Sequence, residues 1–124
     1  MNDELKDSTG EEVTVELDEP GLAYVIKVAD GEVAGRAHYL VGENDENERI
    51  FYHTVVDEKF GGRGLSKILV AEALADCREK GLTVVAICPL FVKKLRESGD
   101  DYIAEGGKFR NPTAADFVYV EQNA

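Results

Sequence analysis

A glycine-rich turn is the part of this 124-residue sequence in which residue types and spacing most clearly indicate chemistry. The turn reads Gly61-Gly62-Arg63-Gly64-Leu65-Ser66, follows the extended run 50–56, and opens a long amphipathic pattern. A strand, a glycine turn and a helix start together form a phosphate site, because glycines let the backbone approach an anion and the first free N–H groups of the helix point at it. The pattern predicts a phosphate-binding turn, with a tight strand–helix connection that binds no ligand as the alternative. If the ligand is a pyrophosphate, the protein is expected to be a coenzyme-dependent enzyme.

Basic side chains accompany this turn in an otherwise acidic chain. The sequence has 14 Lys and Arg against 25 Asp and Glu, for a net charge of -11. Arg63 and Lys67 lie at the turn, and Lys93 and Lys94 follow later in the chain. An anionic ligand needs local positive charge, so we expect Arg63 and Lys67 beside the phosphates. The negative net charge argues against nucleic-acid and anionic-membrane partners. It would attract an amine substrate, and the alternative is an acidic surface that is only solvated.

The elements that must position this turn follow from the hydropathy pattern. Strands are predicted at residues 13–17, 23–28, 33–41, 49–56 and 83–87, a long helix at 65–80 and a short one at 90–97. Residues 98–111 are predicted as loop, and 117–120 as a last strand or a tail. The order predicts an antiparallel meander followed by a right-handed β-α-β crossover. The predicted fold class is therefore α/β (α+β), a mixed, mostly antiparallel sheet of about five to six strands with two helices.

Side-chain alternation along the strand before the turn assigns its residues to two faces. Ile50, Tyr52, Thr54 and Val56 are expected on one face, and Phe51, His53 and Val55 on the other. Gly35, in the preceding strand, is expected to mark a β-bulge.

The length and composition predict a single domain. We expect a flexible acidic N-terminus over residues 1–11, the folded domain over 12–102 and a C-terminal extension over 103–124. The two cysteines form neither a disulfide framework nor a zinc pattern, and no metal site is expected. The sequence shows neither a signal peptide nor an apolar run of about 20 residues, and we expect a reduced, cytoplasmic protein. A monomer and a homodimer both remain open.

Three motifs in a fixed order carry a family resemblance. His53-Thr54-Val55, the glycine turn and Cys88-Pro89 together resemble the GCN5-related N-acetyltransferases, and more narrowly the short, single-domain, YjdJ-like branch of that superfamily. The likeness runs from about Ala23 to Tyr102. It implies that the domain 12–102 is an acetyltransferase domain with acetyl-CoA or coenzyme A as its cofactor.

The resemblance also implies how the cofactor is held. The superfamily binds the CoA pyrophosphate with backbone amides of the turn, which here are those of Gly61, Gly62, Arg63, Gly64, Leu65, Ser66 and Lys67. Its usual pattern is Gln or Arg, two residues, Gly, one residue, then Gly or Ala. Gly61, Gly64 and Ser66 occupy those positions, and Gly64 alone matches fully. Backbone contacts tolerate these departures.

The superfamily also separates the two strands that flank the crossover, so that the pantetheine arm pairs with an exposed strand edge. Here those strands are residues 49–56 and 82–87, with Val55 and Val56 on the edge. The thioester is then expected near His53 and Cys88.

The same resemblance assigns candidate catalytic residues. His53 would be a general base that deprotonates an amine, with a structural histidine as the alternative. Cys88 would accept or position the acetyl group, with core packing as the alternative. Tyr102 would protonate the leaving thiolate, with packing as the alternative, and Cys77 is expected to pack in the core. Direct attack and an acetyl-Cys88 route both remain open.

Three functions are compatible with these residues. The first is acetyl-CoA-dependent N-acetyl transfer to a primary amine of a protein or small molecule. The second is a CoA- or acyl-CoA-binding module without transfer activity, favoured by the shortness of the chain. The third is a nucleotide-phosphate-binding enzyme, although the turn lacks the Lys-Ser or Lys-Thr of a P-loop.

Overall fold

The computed structural model describes residues 5–124, and these form one seven-stranded mixed sheet whose strands lie side by side in chain order. The strands are β1 Leu5–Lys6, β2 Glu12–Asp18, β3 Ala23–Val28, β4 Val33–Val41, β5 Glu48–Val56, β6 Thr83–Ala86 and β7 Lys108–Arg110. The helices are α1 Leu65–Glu79, α2 Pro89–Ala104 and α3 Ala114–Asn123. The predicted α+β class is confirmed, with seven strands in place of the expected five to six.

The first five strands form an antiparallel meander, and the last two join in parallel. Each pairing from β1 to β5 is antiparallel, whereas β6 pairs in parallel with both β5 and β7. Parallel neighbours need long connections, and α1 and α2 supply them. The predicted meander and crossover are therefore both present.

Helix α1 forms where its apolar spacing predicts. Its buried face carries Leu65, Leu69, Val70, Ala73, Leu74, Asp76 and Cys77. Gly81, with a φ of 70°, follows its end and allows the Leu82 N–H to bond the Cys77 carbonyl at 2.9 Å. Cys77 is fully buried, as expected, and burial raises its pKa to about 11.

Helix α2 is twice as long as predicted. Ser98 (φ -137°) kinks the helix, which then continues to Ala104 where a loop was expected. Gly99 is the reason that this part can pack, because a Cβ there would lie 2.9 Å from the ring of Phe109 on β7. Gly99, which suggested a loop, therefore marks a close contact between α2 and the ring of Phe109.

The C-terminal segment is also helical, where a strand or tail was expected. Thr113 and Asp116 form a capping box that starts α3. Arg110 on β7 donates to both Asp116 and Glu48, and this guanidinium lowers the pKa of Asp116 to about 2. The Tyr119 hydroxyl donates to the Val41 carbonyl at 2.8 Å, which fixes the helix beside β4.

Two β-bulges shift the registers of β4 and β5. Ile26 pairs with Gly35 and Lys27 with Val33, so the expected bulge beside Gly35 is confirmed. A second register shift occurs further along, where His38 pairs with His53 but Tyr39 pairs with Phe51. Tyr52 is therefore the extra residue of β5, and the alternation of side chains changes phase at that point.

The main core lies between the sheet and the helices α1 and α2. Its centre is an aromatic group in which Phe51 stacks on Phe91 with ring centroids 4.2 Å apart. Arg49 lies over the ring of Tyr39 and bonds the Tyr24 hydroxyl, which donates to Asp76 at 2.5 Å. Burial raises the pKa of Tyr24, so it remains a neutral donor in this network. Within residues 5–124, each helix is too short or too polar to cross a bilayer.

Candidate active site

The strands β5 and β6 separate after Phe51. Their parallel pairing covers only the four residue pairs from Glu48–Thr83 to Phe51–Ala86. The Phe51 carbonyl then accepts the N–H groups of both Ile87 and Cys88 at 2.9 Å, and the chain turns into α2 at Pro89. Strand β5 continues to Val56, so residues 52–56 have a backbone edge that β6 does not pair. Val55 is half exposed, whereas Val56 packs against the core.

The glycine turn connects the end of β5 to α1. A short 3-10 turn, Glu58–Phe60, precedes it, and Phe60 is buried. Gly64 is the N-cap of α1 with a φ of 72°, and no side chain of the described chain caps this helix. The first N–H groups of α1, those of Leu65, Ser66 and Lys67, have no intrahelical acceptor. The turn thus presents backbone donors of the kind that bind phosphate.

Three lysines, Lys67, Lys93 and Lys94, line a cleft on one side of the N-terminus of α1. This cleft of about 280 Å³ separates the start of α1 from the first turns of α2, and it is lined by Ser66, Lys67, Val70, Leu90, Lys93, Lys94 and Glu97. The lysines that form ion pairs within residues 5–124 are Lys27, Lys59 and Lys80, none of which lines this cleft. The cleft combines ammonium groups with backbone donors, and this donor set fits a polyphosphate.

Arg63 does not join these lysines. Its Nε donates to Asp7 at 2.6 Å and its Nη2 to Glu11 at 2.9 Å. The expectation that Arg63 lies beside the phosphates is therefore not matched by its contacts, because two carboxylates of the N-terminal segment bind the guanidinium. Lys67 lines the cleft, and its place beside a phosphate stays a prediction.

His53 lies on the opposite face of β5 from Phe51, contrary to the expectation that they share a face. The bulge at Tyr52 changes the alternation, so that His53 is exposed while Phe51 is in the core. Its ring stacks at 6.1 Å on His38, the neighbour across the strands. Burial, together with the nearby His53 and Arg36, lowers the pKa of His38 below 6.5. Sequence patterns do not single out His38, because only strand pairing places it beside His53.

A shallow groove runs beside these histidines along β4 and β5. Its volume is about 510 Å³, and its lining is Val33, Ala34, Gly35, Arg36, His38, Val55, Val56, Asp57 and Glu58. Two carboxylates at its end, Asp57 and Glu58, give it a partly acidic character. His38 and the half-exposed Val55 line the groove, whereas His53, which pairs with His38 across the strands, is not part of its lining.

Cys88 lies on the other face, at the point where the strands separate. It is the N-cap of α2, is 3% exposed, and belongs to the main core. Its sulfur lies 3.3 Å from Oγ1 of Thr54, the middle residue of the His53-Thr54-Val55 motif. Thr54 directly follows His53 in β5, so their side chains point to opposite faces. Cys88 and His53 therefore border the strand opening from opposite sides of the sheet.

Tyr102 is not brought to this opening. It lies on the last turn of α2, beyond the kink at Ser98, whereas Cys88 is the N-cap of the same helix. Its hydroxyl donates to the Leu74 carbonyl of α1 at 2.8 Å, and burial raises its pKa. These contacts make it a packing residue between two helices. Both cysteines are free thiols, and no three His, Cys, Asp or Glu side chains of the described chain form a metal-binding group.

Comparison with known proteins agrees with this geometry. A family model of the GCN5-related N-acetyl-transferases matches residues 23–105, more than half of the chain. The chain therefore belongs to the GCN5-related N-acetyltransferases. An NMR solution structure of a GCN5-like protein from Staphylococcus aureus is similar in fold, with a TM-score of 0.52 at 24% identity over 82% of this chain and 91% of that one. No curated protein sequence matches significantly.

Proposed function

We propose that this protein is an acetyl-CoA-dependent N-acetyltransferase that acts on primary amines. The observation that carries the proposal is the open edge of β5, which begins where Phe51 loses its partner strand and leads directly into the glycine turn. Five residues of strand span about 17 Å, so an extended ligand along this edge would reach from Cys88 to the N-terminus of α1. A coenzyme with an amide-containing arm and a pyrophosphate has the matching chemistry.

The described residues fit such a cofactor at both ends. The amides of Gly64, Leu65 and Ser66 would hold the pyrophosphate, and Lys67 and Lys93 would balance its charge. The backbone of residues 52–56 would pair with the pantetheine amides, as a partner strand does. When bound, the thioester supplies an activated acetyl group.

The acceptor amine would approach from the exposed face of the sheet. The partly acidic groove along β4 and β5 and the net charge of -11 both attract a cationic amine. An amine must lose a proton before it can attack, and His53, exposed on this face, would accept that proton. Because its pKa is lowered, His38 stays uncharged at neutral pH and does not repel the proton that His53 would accept.

Direct transfer is the route that this arrangement favours. The Cys88 sulfur is buried against Thr54, and His53 faces the other side of the sheet. An activated cysteine nucleophile needs an adjacent base, and none contacts the sulfur among the residues described. We therefore assign Cys88 a positioning role beside the acetyl group.

Binding and transfer are tested separately. Calorimetry with CoA, desulfo-CoA and AMP measures binding, and release of free CoA thiol measures transfer to a panel of lysyl, N-terminal and polyamine acceptors. We expect His53→Gln to reduce transfer about 10²- to 10⁴-fold and to leave CoA affinity unchanged, with His38→Gln as the matched control that keeps most activity. No binding to millimolar CoA would refute the proposal, and binding without transfer to any acceptor would favour the CoA-binding module.

A further inference from the structure

The segment that precedes β2 is bound to the glycine turn, 54 residues away in the chain. Ser8 donates from its backbone N–H to the Arg63 carbonyl at 3.0 Å and from its hydroxyl to the Gly62 carbonyl at 3.2 Å. The Asp7 carboxylate accepts from Nε of Arg63 at 2.6 Å. We refer to Asp7, Ser8 and Arg63, with their mutual bonds, as the latch.

Asp7 is the centre of the latch. Its side chain is fully buried and accepts from the Thr9 hydroxyl at 2.6 Å and from the backbone N–H groups of Thr9 and Glu11 at 2.8 and 3.1 Å. These bonds, together with the one from Arg63, hold the pKa of Asp7 well below its usual range against the opposing effect of burial. One carboxylate thus fixes the conformation of its own turn and holds an arginine of the glycine turn.

The latch also determines where the turn directs its amides. In a trans peptide the carbonyl and the following N–H point in opposite directions. Because the carbonyls of Gly62 and Arg63 both point to Ser8, the N–H groups of Arg63 and Gly64 both point away from it. Consecutive N–H groups with a common direction are the arrangement that binds anions.

We propose that the N-terminal segment is a positioning element of the cofactor site, in which Asp7 and Ser8 pre-organise the glycine turn to receive the CoA pyrophosphate. This inference rests on the proposed function. It assigns Arg63 to the latch and leaves the phosphate charge to the backbone amides and the cleft lysines. A turn held in its binding conformation loses less conformational entropy on binding, so removing the latch weakens affinity.

Two alanine substitutions provide the test, each of which removes one of the two carboxylates that contact Arg63. Asp7→Ala removes the carboxylate at the centre of the latch, whereas Glu11→Ala removes only the outer contact of Arg63, made by a side chain that is 64% exposed. We expect Asp7→Ala to raise the Kd of CoA about 10-fold and Glu11→Ala to change it less than about twofold. Ser8→Ala, at an exposed position that does not threaten folding, should raise it about threefold.

Pantetheine, which lacks the pyrophosphate, distinguishes positioning from general damage to the fold. Its affinity, measured by NMR titration, should be the same in wild type and Asp7→Ala, and amide exchange of Gly62 to Gly64 should accelerate in the variant. Unchanged or tighter CoA binding in Asp7→Ala would overturn the inference, since tighter binding means that Arg63 is a phosphate ligand. Equal losses for CoA and pantetheine would also overturn it. Failure of the wild type to bind CoA is a separate result, which refutes the proposed function.

Discussion

Replacement of Gly64 by Gln and by Glu separates backbone strain from charge at the proposed phosphate site. Gly64 has a φ of 72°, and a Cβ there would meet only the Ser8 Cβ, at 4.0 Å. Steric exclusion is therefore small, and the left-handed backbone conformation alone costs about 1–2 kcal/mol for a residue with a Cβ. Both variants should unfold about 4–8 °C below the wild type.

The two variants should then differ in opposite directions for stability and for binding. A carboxylate at the N-terminus of α1 interacts favourably with the helix dipole, so the Glu variant should be about 0.3–1 kcal/mol more stable than the Gln variant. The same carboxylate at about 6 Å from a phosphate repels it by about 0.7 kcal/mol in water and about 2.8 kcal/mol near a protein surface. An intermediate value of about 2 kcal/mol predicts a Kd for CoA roughly 30-fold higher for Glu than for Gln.

Calorimetry with CoA and thermal unfolding on the same preparations measure both quantities. Equal CoA affinity of the Gln and Glu variants would refute the reasoning, because a phosphate bound at this N-terminus must respond to a negative charge placed there. Equal stability with unequal affinity would instead show that the dipole effect is smaller than we infer.

The other predictions concern the candidate catalytic residues and His38. Cys88→Ala should retain transfer within about tenfold and form no acetyl-enzyme detectable by mass spectrometry; a loss beyond 100-fold with wild-type acetylation of Cys88 would establish the covalent route. Tyr102→Phe should lose about 0.5–1.5 kcal/mol of unfolding free energy with its bond to Leu74 and keep both binding and transfer; a selective loss of transfer would contradict the packing role. His53→Gln should raise the pKa of His38, still below 6.5 because burial persists, in an NMR titration of the imidazole. Because the pKa of His38 is depressed in the folded state, the free energy of unfolding of the wild type should fall as the pH drops below about 6.5. The fall should be smaller in His38→Gln. Identical dependence of stability on pH in the two proteins would exclude His38 as its cause.

Most of the sheet could be predicted from the sequence, because its strands alternate or form short apolar runs and lie next to their chain neighbours. The two helical segments after Ser98, which are the second half of α2 and helix α3, were not predicted. Gly99 and Ser98 indicated a loop, yet Gly99 provides space for the Phe109 ring, a contact that exists only after β7 has paired. The Thr113–Asp116 capping box was a local signal that could have identified α3.

The sequence predicts the part of the site that is formed by a local backbone motif. It does not predict the parts that depend on strand pairing or on contacts between distant residues. The glycine turn was visible as a motif and lies at the N-terminus of α1, as expected. The face of His53 depends on the extra residue Tyr52, which leaves no trace in a sequence that alternates through it. Arg63 and Asp7 are joined only by the folded chain, so residue type alone could not reveal their ion pair.

The unpaired edge of β5 has a further consequence, for colloidal behaviour. Exposed strand edges promote pairing between molecules and hence aggregation. Here the edge is short, because only residues 52–56 of β5 lie beyond the last pair with β6. A ligand that pairs there at 100 times its Kd would add about 2.7 kcal/mol of stability. The protein should therefore resist aggregation on heating best in the presence of its cofactor.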